Sequence, residues 1–406
     1  MTAIKIGILA EGKVPIDRRV PLTPLQCVEV QEQFPGVKVV VQASPIRCFG
    51  DEQYREVGIA VEPSVADCPY VFGVKEVPID QLIENKTYFF FSHTTKKQPY
   101  NQALLQTVLQ RHITLVDYEH LTDGEGRRII AFGRYAGLVG TYNALLTYGT
   151  RFGLFTLKPA HQCFDLEEIW QELAKVQLPP VKIVVTGAGR VGKGAVEILD
   201  AVHVRRVSPE EFLAQQFDVP VFTQLHSRHY YRRLDGKDWN DVYFYNNPAD
   251  MASVFGPYAN AADVLVAGAY WDPRAPRLFT LEDVANPAFR LKVIADITCD
   301  IEGSIPTTVQ ASTIEMPQYD FDPLTRTVQR PFSHERHVTV MAVDNLPCEL
   351  PRDASRDFGR QLIDNVLPAL LLDDPTGIIQ RATIAQRGHL TPPYHYLKDY
   401  AFGTEM

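Results

Sequence analysis

Short apolar runs alternate with amphipathic stretches along the first third of the chain. IKIGIL (4–9), VKVVVQ (37–42), YVFGVK (70–75), TYFFFS (87–92) and ITLVDY (113–118) are too short for helices and rich in β-branched or aromatic residues. They predict five strands. Between the first two, Thr23-Pro24 supplies an N-cap followed by proline at the first helical position. Between the last two, 101–110 carries apolar residues at helical spacing. Strands alternating with helices predict a parallel sheet covered on both faces.

A longer amphipathic stretch, 136–155, leads out of this unit, and Pro179-Pro180 punctuates the entry to a second. There VKIVVTGAGRVGKGAVEILDAV (181–202) reads as strand, glycine turn and helix. DVLVAGAY (263–270), LKVIADI (291–297) and HVTVMAV (337–343) predict further buried strands. The segment 353–372, apolar at Phe358, Leu362, Ile363, Val366 and Leu367, predicts one long helix returning to the first unit. The expected fold is α/β: two Rossmann-like domains with parallel sheets and an inter-domain cleft for substrate. Residues 1–137 with 350–406 form the substrate and catalytic domain, and 138–349 the dinucleotide-binding domain.

Composition narrows the chemistry. The net charge of -9 argues against nucleic acid as a partner. No apolar run is long enough to span a bilayer, and MTAIKIGIL reads as a first strand rather than a signal peptide. Six cysteines without a C-x-x-C pair suit reduced thiols in a cytoplasmic protein. Eleven histidines without ligand spacing give no reason to expect a metal. Arg228 to Arg233 mixes basic and aromatic residues, but in a polar insertion it reads as a solvated face.

Gly187-Ala188-Gly189-Arg190-Val191-Gly192 is G-x-G-x-x-G between a strand and a helix, the context that gives the string meaning. The first glycine makes the turn, the second admits a pyrophosphate, and the third allows close packing. The next expected strand, HVRRV (203–207), puts Ser208 where NAD sites usually carry Asp or Glu. Glu210 or Glu211 could substitute, whereas Arg205 or Arg206 would favour a 2′-phosphate. NAD is slightly preferred and NADP stays open. Ionisable or amide residues also fall at the ends of expected strands: Lys75, His93, Glu119, Asp296, Asp300 and Asn345. Any one could be an ordinary surface or loop residue. Together they suit proton transfer at a carbon–nitrogen centre.

These blocks resemble the superfamily of alanine dehydrogenase and lysine-forming saccharopine dehydrogenase. Arg19-Val20-Pro21-Leu22-Thr23-Pro24, Val74-Lys75-Glu76-Val77-Pro78, Ser92-His93 and Asp296-Ile297-Thr298-Cys299-Asp300 keep the family order. Tyr118-Glu119-His120-Leu121 with Gly126-Arg127-Arg128, 131–137 and 344–355 are closer to saccharopine dehydrogenase. The 210–260 insertion and 270–274 match neither subfamily. The resemblance implies a hydride transfer between a nicotinamide cofactor and the C–N bond of a saccharopine-like opine, giving a lysine-like amino acid and 2-oxoglutarate. Lys75 and His93 would carry the proton transfers. Glu76 and Glu119 would adjust their pKa values, and Arg19 and Arg128 would hold carboxylates. Asp300 and Asn345 would lie near the nicotinamide and substrate, and Gly187, Gly189, Arg190, Val191, Gly192 and Ser208 near the rest of the cofactor. The rival expectations are an alanine dehydrogenase and a non-catalytic nucleotide sensor of the same fold. The expected partner is a small amino-acid or opine substrate, with no membrane and the oligomeric state open.

Overall fold

The computed structural model describes residues 3–403. The chain divides into two compact units, Met1–Phe132 with Pro351–Met406, and Gly133–Leu350.

In the first unit, β1 (Ile4–Ile8), β2 (Val37–Gln42), β3 (Ala60–Glu62), β4 (Tyr70–Phe72), β5 (Thr87–Phe90) and β6 (Thr114–Asp117) all run parallel. The chain lays β2 and β3 on one side of β1, then crosses over to lay β4, β5 and β6 on the other. Strand order therefore reverses between β1 and β4, and open parallel sheets bind ligands beyond the carboxyl ends at such a point. The strands are apolar because both faces are covered. Phe72 and Phe89, for example, stack at 4.3 Å inside the sheet's own core. Helix α1 (Pro24–Gln33) starts as its sequence dictates: Thr23 accepts from the Gln26 N–H, and the Gln26 side chain answers to the Thr23 N–H. Helices α2 (Asp51–Glu56) and α3 (Pro99–Gln110) follow.

The second unit begins with α4 (Gly133–Phe152) and α5 (Leu166–Leu173). It continues through β7 (Lys182–Thr186), α6 (Arg190–Ala201), β8 (Arg205–Arg206), α7 (Pro209–Ala214) and β9 (Val221–Leu225). A hairpin-like pair, β10 (Tyr231–Arg233) and β11 (Met251–Ser253), stands apart as its own small sheet. Then come β12 (Val264–Ala267), β13 (Val293–Asp296), β14 (Gln318–Asp322), β15 (Thr327–Gln329) and β16 (Val338–Met341). The main sheet has the order β15-β14-β16-β13-β12-β7-β9-β8, parallel except at β14 and β15. Its order reverses between β7 and β12. The returning segment, 351–403, adds β17 (Thr383–Gln386) and β18 (His389–Leu390) to the first sheet, with β17 antiparallel to β6.

Four expectations are corrected. The strand beside β7 is β9, not the 203–207 segment, which forms only the two-residue β8 outside it. Val221, Phe222 and Leu225 are buried, so a core strand lies within the stretch read as a polar insertion. Arg228 to Arg233 is not a uniformly solvated face, because Tyr230 and Tyr231 are buried between its exposed arginines. The long helix at 353–372 is interrupted. It runs Pro351–Gln361, widens through a π-helical turn at Leu362–Val366, and resumes at Leu367–Leu371. Pro368 has no N–H for the carbonyl four residues earlier, which accounts for the loosened turn. No helix among the described residues is long and apolar enough to cross a membrane.

Candidate active site

The carboxyl edge of the first sheet gathers ionisable groups from four neighbouring strands. Glu11 and Lys13 follow β1, Lys75 and Glu76 follow β4, Ser92 and His93 follow β5, and Asp117 with Glu119 close β6. Parallel pairing puts all of these at one edge.

Glu76 is the hub. Its Oε1 lies 2.5 Å from His93 Nδ1, and its Oε2 accepts from Lys13 Nζ at 2.6 Å. Burial would raise this carboxyl, but the His93 and Lys13 bonds outweigh burial and hold it down at about 2. An ionised Glu76 orients the imidazole through Nδ1 and leaves Nε2 as the atom that can exchange a proton with a reactant. His93 itself sits in the left-handed region at φ 52, an uncommon conformation for a residue with a side chain.

Lys75 is pushed the other way. Burial lowers its pKa, and the nearby positive charges of Arg19 and Lys13 lower it further. Its backbone is pinned by Glu11, whose two carboxylate oxygens accept the N–H groups of Val74 at 2.6 Å and Lys75 at 3.0 Å. Burial, with the charge of Asp17, raises Glu11 to about 7. Asp117 anchors the other side: fully buried, it accepts from Ser92 and, at 2.7 Å, from the Glu119 N–H.

Glu119 is held below its ordinary value although burial opposes this, because Lys96 and Arg128 stand beside it. Arg128 donates to Glu119 Oε1 at 3.1 Å, and Lys96 Nζ lies 3.4 Å away. Arg19 is buried, with its fork closed on Asp17 (3.0 and 2.5 Å) and its guanidinium 4.2 Å above the Phe132 ring. The first unit thus brings Lys75, Glu76, His93, Glu119 and Arg128 to one sheet edge, with Arg19 in electrostatic range of Lys75. Sequence reasoning missed Glu11, Lys13, Asp17 and Lys96. Glu11 and Lys13 obey the strand-end rule already applied to Lys75, so that rule could have found them.

In the second unit the glycine turn closes β7 at the point where strand order reverses. Gly187 has φ +93, open to glycine at little cost, and a Cβ there would press on the backbone of Gly268 and Ala269 after β12. A Cβ on Gly192 would lie 2.1 Å from the Gly187 carbonyl oxygen, so this position must be glycine for α6 to pack on the turn. At Gly189, the N-cap of α6, a Cβ would meet nothing within 4 Å. The backbone there borders open space at the start of a 12-residue helix, where Arg190 and Val191 form the first turn. A helix start of this kind favours phosphate, so these residues fit the pyrophosphate of a dinucleotide. Asp300 and Asn345 share this edge, beyond the adjacent strands β13 and β16. Asp296 is structural: buried, it accepts from the Thr298 and Thr308 hydroxyls at 2.6 Å and fixes the loop that carries Asp300. Ser208 stands two strands away from the glycine turn and caps α7, accepting from the Glu211 N–H at 3.1 Å.

Residues 7–139 match the family described as alanine dehydrogenase/PNT, N-terminal domain. The chain is 30% identical over 445 residues to alpha-aminoadipic semialdehyde synthase of Arabidopsis thaliana, covering 97% of this chain and 41% of that protein. It is equally identical to the mitochondrial protein of the same name from Rattus norvegicus, of which it covers 46%. The chain therefore spans less than half the length of these two relatives. Saccharopine dehydrogenase [NAD(+), L-lysine-forming] of Emericella nidulans is 29% identical, with 90% of this chain and 92% of that protein covered. Among solved structures, an L-alanine dehydrogenase shares the fold with a TM-score of 0.63 at 17% identity, over 98% of this chain and all of that one.

Proposed function

Because the chain belongs to the superfamily that unites alanine dehydrogenase with lysine-forming saccharopine dehydrogenase, and lies nearer the latter, we propose that it interconverts a saccharopine-like opine with an amino acid and a 2-oxo acid. The amino acid is lysine-like and the 2-oxo acid is 2-oxoglutarate. The observation that carries this reading is the Lys13–Glu76–His93 bridge beside Lys75 at the reversal point of the first sheet.

A nicotinamide dinucleotide, when bound, supplies the acceptor or donor of a hydride. Gly187, Gly189 and Gly192, with the first turn of α6 at Arg190 and Val191, would hold its pyrophosphate. Asp300 and Asn345 would serve its nicotinamide half. The chain's side chains then handle protons. In the oxidative direction the secondary amine of the opine must lose one proton as its neighbouring C–H gives up a hydride. Lys75 suits that step because burial and adjacent cations increase its neutral fraction. Water then adds to the substrate imine, and the adduct collapses to a free amine and a ketone. His93 can relay these protons through Nε2 while Glu76 stays ionised behind it. The opine carries several carboxylates. Arg128 and Lys96 beside Glu119 supply cations for one of them, and Arg19, in electrostatic range of Lys75, would supply the charge for another.

Alanine dehydrogenase is the weaker reading, because the likeness to it is a family match confined to residues 7–139 and a shared fold at 17% identity, whereas a saccharopine dehydrogenase is 29% identical over 90% of this chain. A non-catalytic sensor would have no need of the Glu76 bridge. The discriminating experiment supplies reduced cofactor with 2-oxoglutarate and lysine, or with pyruvate and ammonia, and follows its oxidation. Turnover with the diacid and an amino-acid amine is the expected result. Turnover with pyruvate and ammonia alone would replace this reading with the rival.

A further inference from the structure

The second sheet also has an amino edge, and cations gather there. β13 and β16 run parallel and start directly after Lys292 and His337, while antiparallel β14 ends beside them at Asp322. The glycine turn lies at the opposite edge, because β7 and β13 both run parallel to β12. A full strand length separates the two edges.

The loop 330–337 shapes this region. Arg151, buried in the last turn of α4, gathers the loop's carbonyl oxygens, donating to His334 and Glu335 at 3.2 Å and to His337 at 2.7 Å. Lys292 Nζ donates to the Glu335 carbonyl at 3.3 Å. The backbone thus faces two cations. The side chains of His334 and Arg336, with Lys292, form the wall shared by two hollows of about 730 and 570 Å³. Both are large enough for a small organic ligand.

The charges there are unevenly answered. Arg151 faces the buried Asp320 at 3.5 Å. Among the described residues, no carboxylate forms an ion pair with Lys292 or Arg336. Burial lowers the Lys292 pKa, and the charge of Arg151 lowers it further, so an anion beside Lys292 would relieve both. The larger hollow adds an apolar wall of Pro287, Phe289, Pro323 and Leu324. Asp322 is the one carboxylate among the described residues lining it, and it is spent on its own turn. It accepts from the Leu324 N–H at 2.9 Å and the Thr325 hydroxyl at 2.8 Å. Lys292 and Arg336 against Asp322 leave a surplus of one positive charge before the imidazoles are counted. A monoanion matches that surplus better than a phosphate dianion does.

We propose that the larger hollow is a second ligand site, which takes an organic monocarboxylate with an apolar body. Lys292 and Arg336 would receive the carboxylate, and Phe289, Pro287 and Leu324 would cover the body. The site lies wholly within the second unit and is independent of the reaction proposed above.

The full chain is titrated with 4-fluorobenzoate, with the uncharged 4-fluorobenzamide and with the dianion 4-fluorophenyl phosphate, each followed by fluorine NMR. The benzoate should bind at least about tenfold more tightly than the benzamide, and more tightly than the phosphate ester, because a charged hydrogen bond contributes roughly 1.5–3 kcal/mol. Lys292→Met and Arg336→Ala should each weaken the benzoate roughly tenfold or more. Arg336 is exposed, so Arg336→Ala should fold normally, with unchanged melting as its control. Lys75→Met and Gly189→Val, which alter the other two edges, should leave benzoate binding unchanged. Equal binding of benzoate and benzamide, preference for the phosphate ester, or no binding at all would overturn the proposal. So would benzoate binding that survives Arg336→Ala and Lys292→Met, or that is lost in Lys75→Met or Gly189→Val. None of these results bears on the dehydrogenase reading, which stands or falls on cofactor oxidation.

Discussion

Each unit builds a largely parallel sheet whose strand order reverses beside its first strand, yet the two sheets place different materials at that point. The first sets out side chains: Glu11 and Lys13 on one flank, Lys75 and Glu76 on the other, with His93 and Glu119 farther along the edge. The second sets out backbone, with Gly187, Gly189 and Gly192 keeping side chains away from the crevice. Proton transfer needs groups whose pKa values are moved by burial and by neighbouring charge, so it needs side chains partly withdrawn from water. Binding a pyrophosphate needs N–H groups and room, which side chains obstruct. The same topology serves both tasks because it fixes only where the strand ends lie.

If that division of labour holds, the largest effects come from the first edge. Lys75→Met and His93→Gln should each lower kcat on the order of 10²–10⁴-fold, with dinucleotide affinity unchanged by fluorescence titration. Each should also remove one ionisation from the pH–rate profile. Near-native turnover with intact profiles would mean that these groups are structural and that the first edge does something else.

The second edge breaks differently. Gly189→Val adds a side chain where nothing stands within 4 Å, so the fold should tolerate it while the pyrophosphate cannot. Affinity for the dinucleotide should fall on the order of tenfold or more, without a change in melting temperature. Gly192→Val instead drives a Cβ to within 2.1 Å of the Gly187 carbonyl and should cost about 1–3 kcal/mol of stability as overpacking. Equal melting losses in both variants would erase the distinction between a binding glycine and a packing glycine.

A smaller effect separates recognition from chemistry within the first edge. Arg128 is exposed and shares Glu119 with Lys96, so solvent and a neighbouring cation blunt its loss. Arg128→Ala should raise the KM for the 2-oxo diacid roughly three- to tenfold and leave kcat within about twofold. A loss confined to kcat would place Arg128 with the proton-transfer groups instead.

Much of this is legible in the sequence. The strands of the first sheet from β1 to β6 are period-independent apolar runs, and all but the three-residue β3 were readable. Lys75, His93 and Glu119 followed from the rule about strand ends. The glycine turn was recognisable because a strand precedes it and a helix follows. Three things were hidden. β9 sits in a stretch whose overall polarity masked a five-residue core strand, and its neighbour β8 looked like the natural second strand. Propensity cannot tell which of two short runs pairs with β7, since pairing is decided by tertiary contacts. The Lys13–Glu76–His93 bridge joins residues up to 80 positions apart (63 and 17 for its two bonds) and depends on strand adjacency that no local pattern records. The interruption at Leu362–Val366 was signalled by Pro368, but an apolar stripe of helical period ran straight through it.

A further contrast sets a buried acid of the second unit against the ionised Glu76 of the first. Glu349 closes the turn Leu346–Glu349, almost fully buried, and accepts from the Asn143 amide of α4 at 2.9 Å. His161 Nδ1 lies 3.9 Å away, and the charge of Glu315 adds to the field. Burial pushes the carboxyl up to about 8, and the Asn143 bond offsets this only in part. The unfolded chain would ionise the same group near its ordinary 4.5. Between those two values the folded state holds a proton that the unfolded state has released, so stability from this group falls as pH rises. It is fully present below about 4.5 and is lost as pH passes through about 8. Glu11, raised to about 7, adds a loss of the same sign, so the pH slope of the native protein alone is ambiguous. Comparison with Glu349→Gln resolves it. The amide keeps the size of the acid and an acceptor for Asn143, and it has no proton to lose. Melting followed by circular dichroism from about pH 6 to pH 9 should show a steeper decline for the native protein than for the variant. Parallel curves would mean that Glu349 ionises alike in both states, and its burial would then have been relieved by solvent.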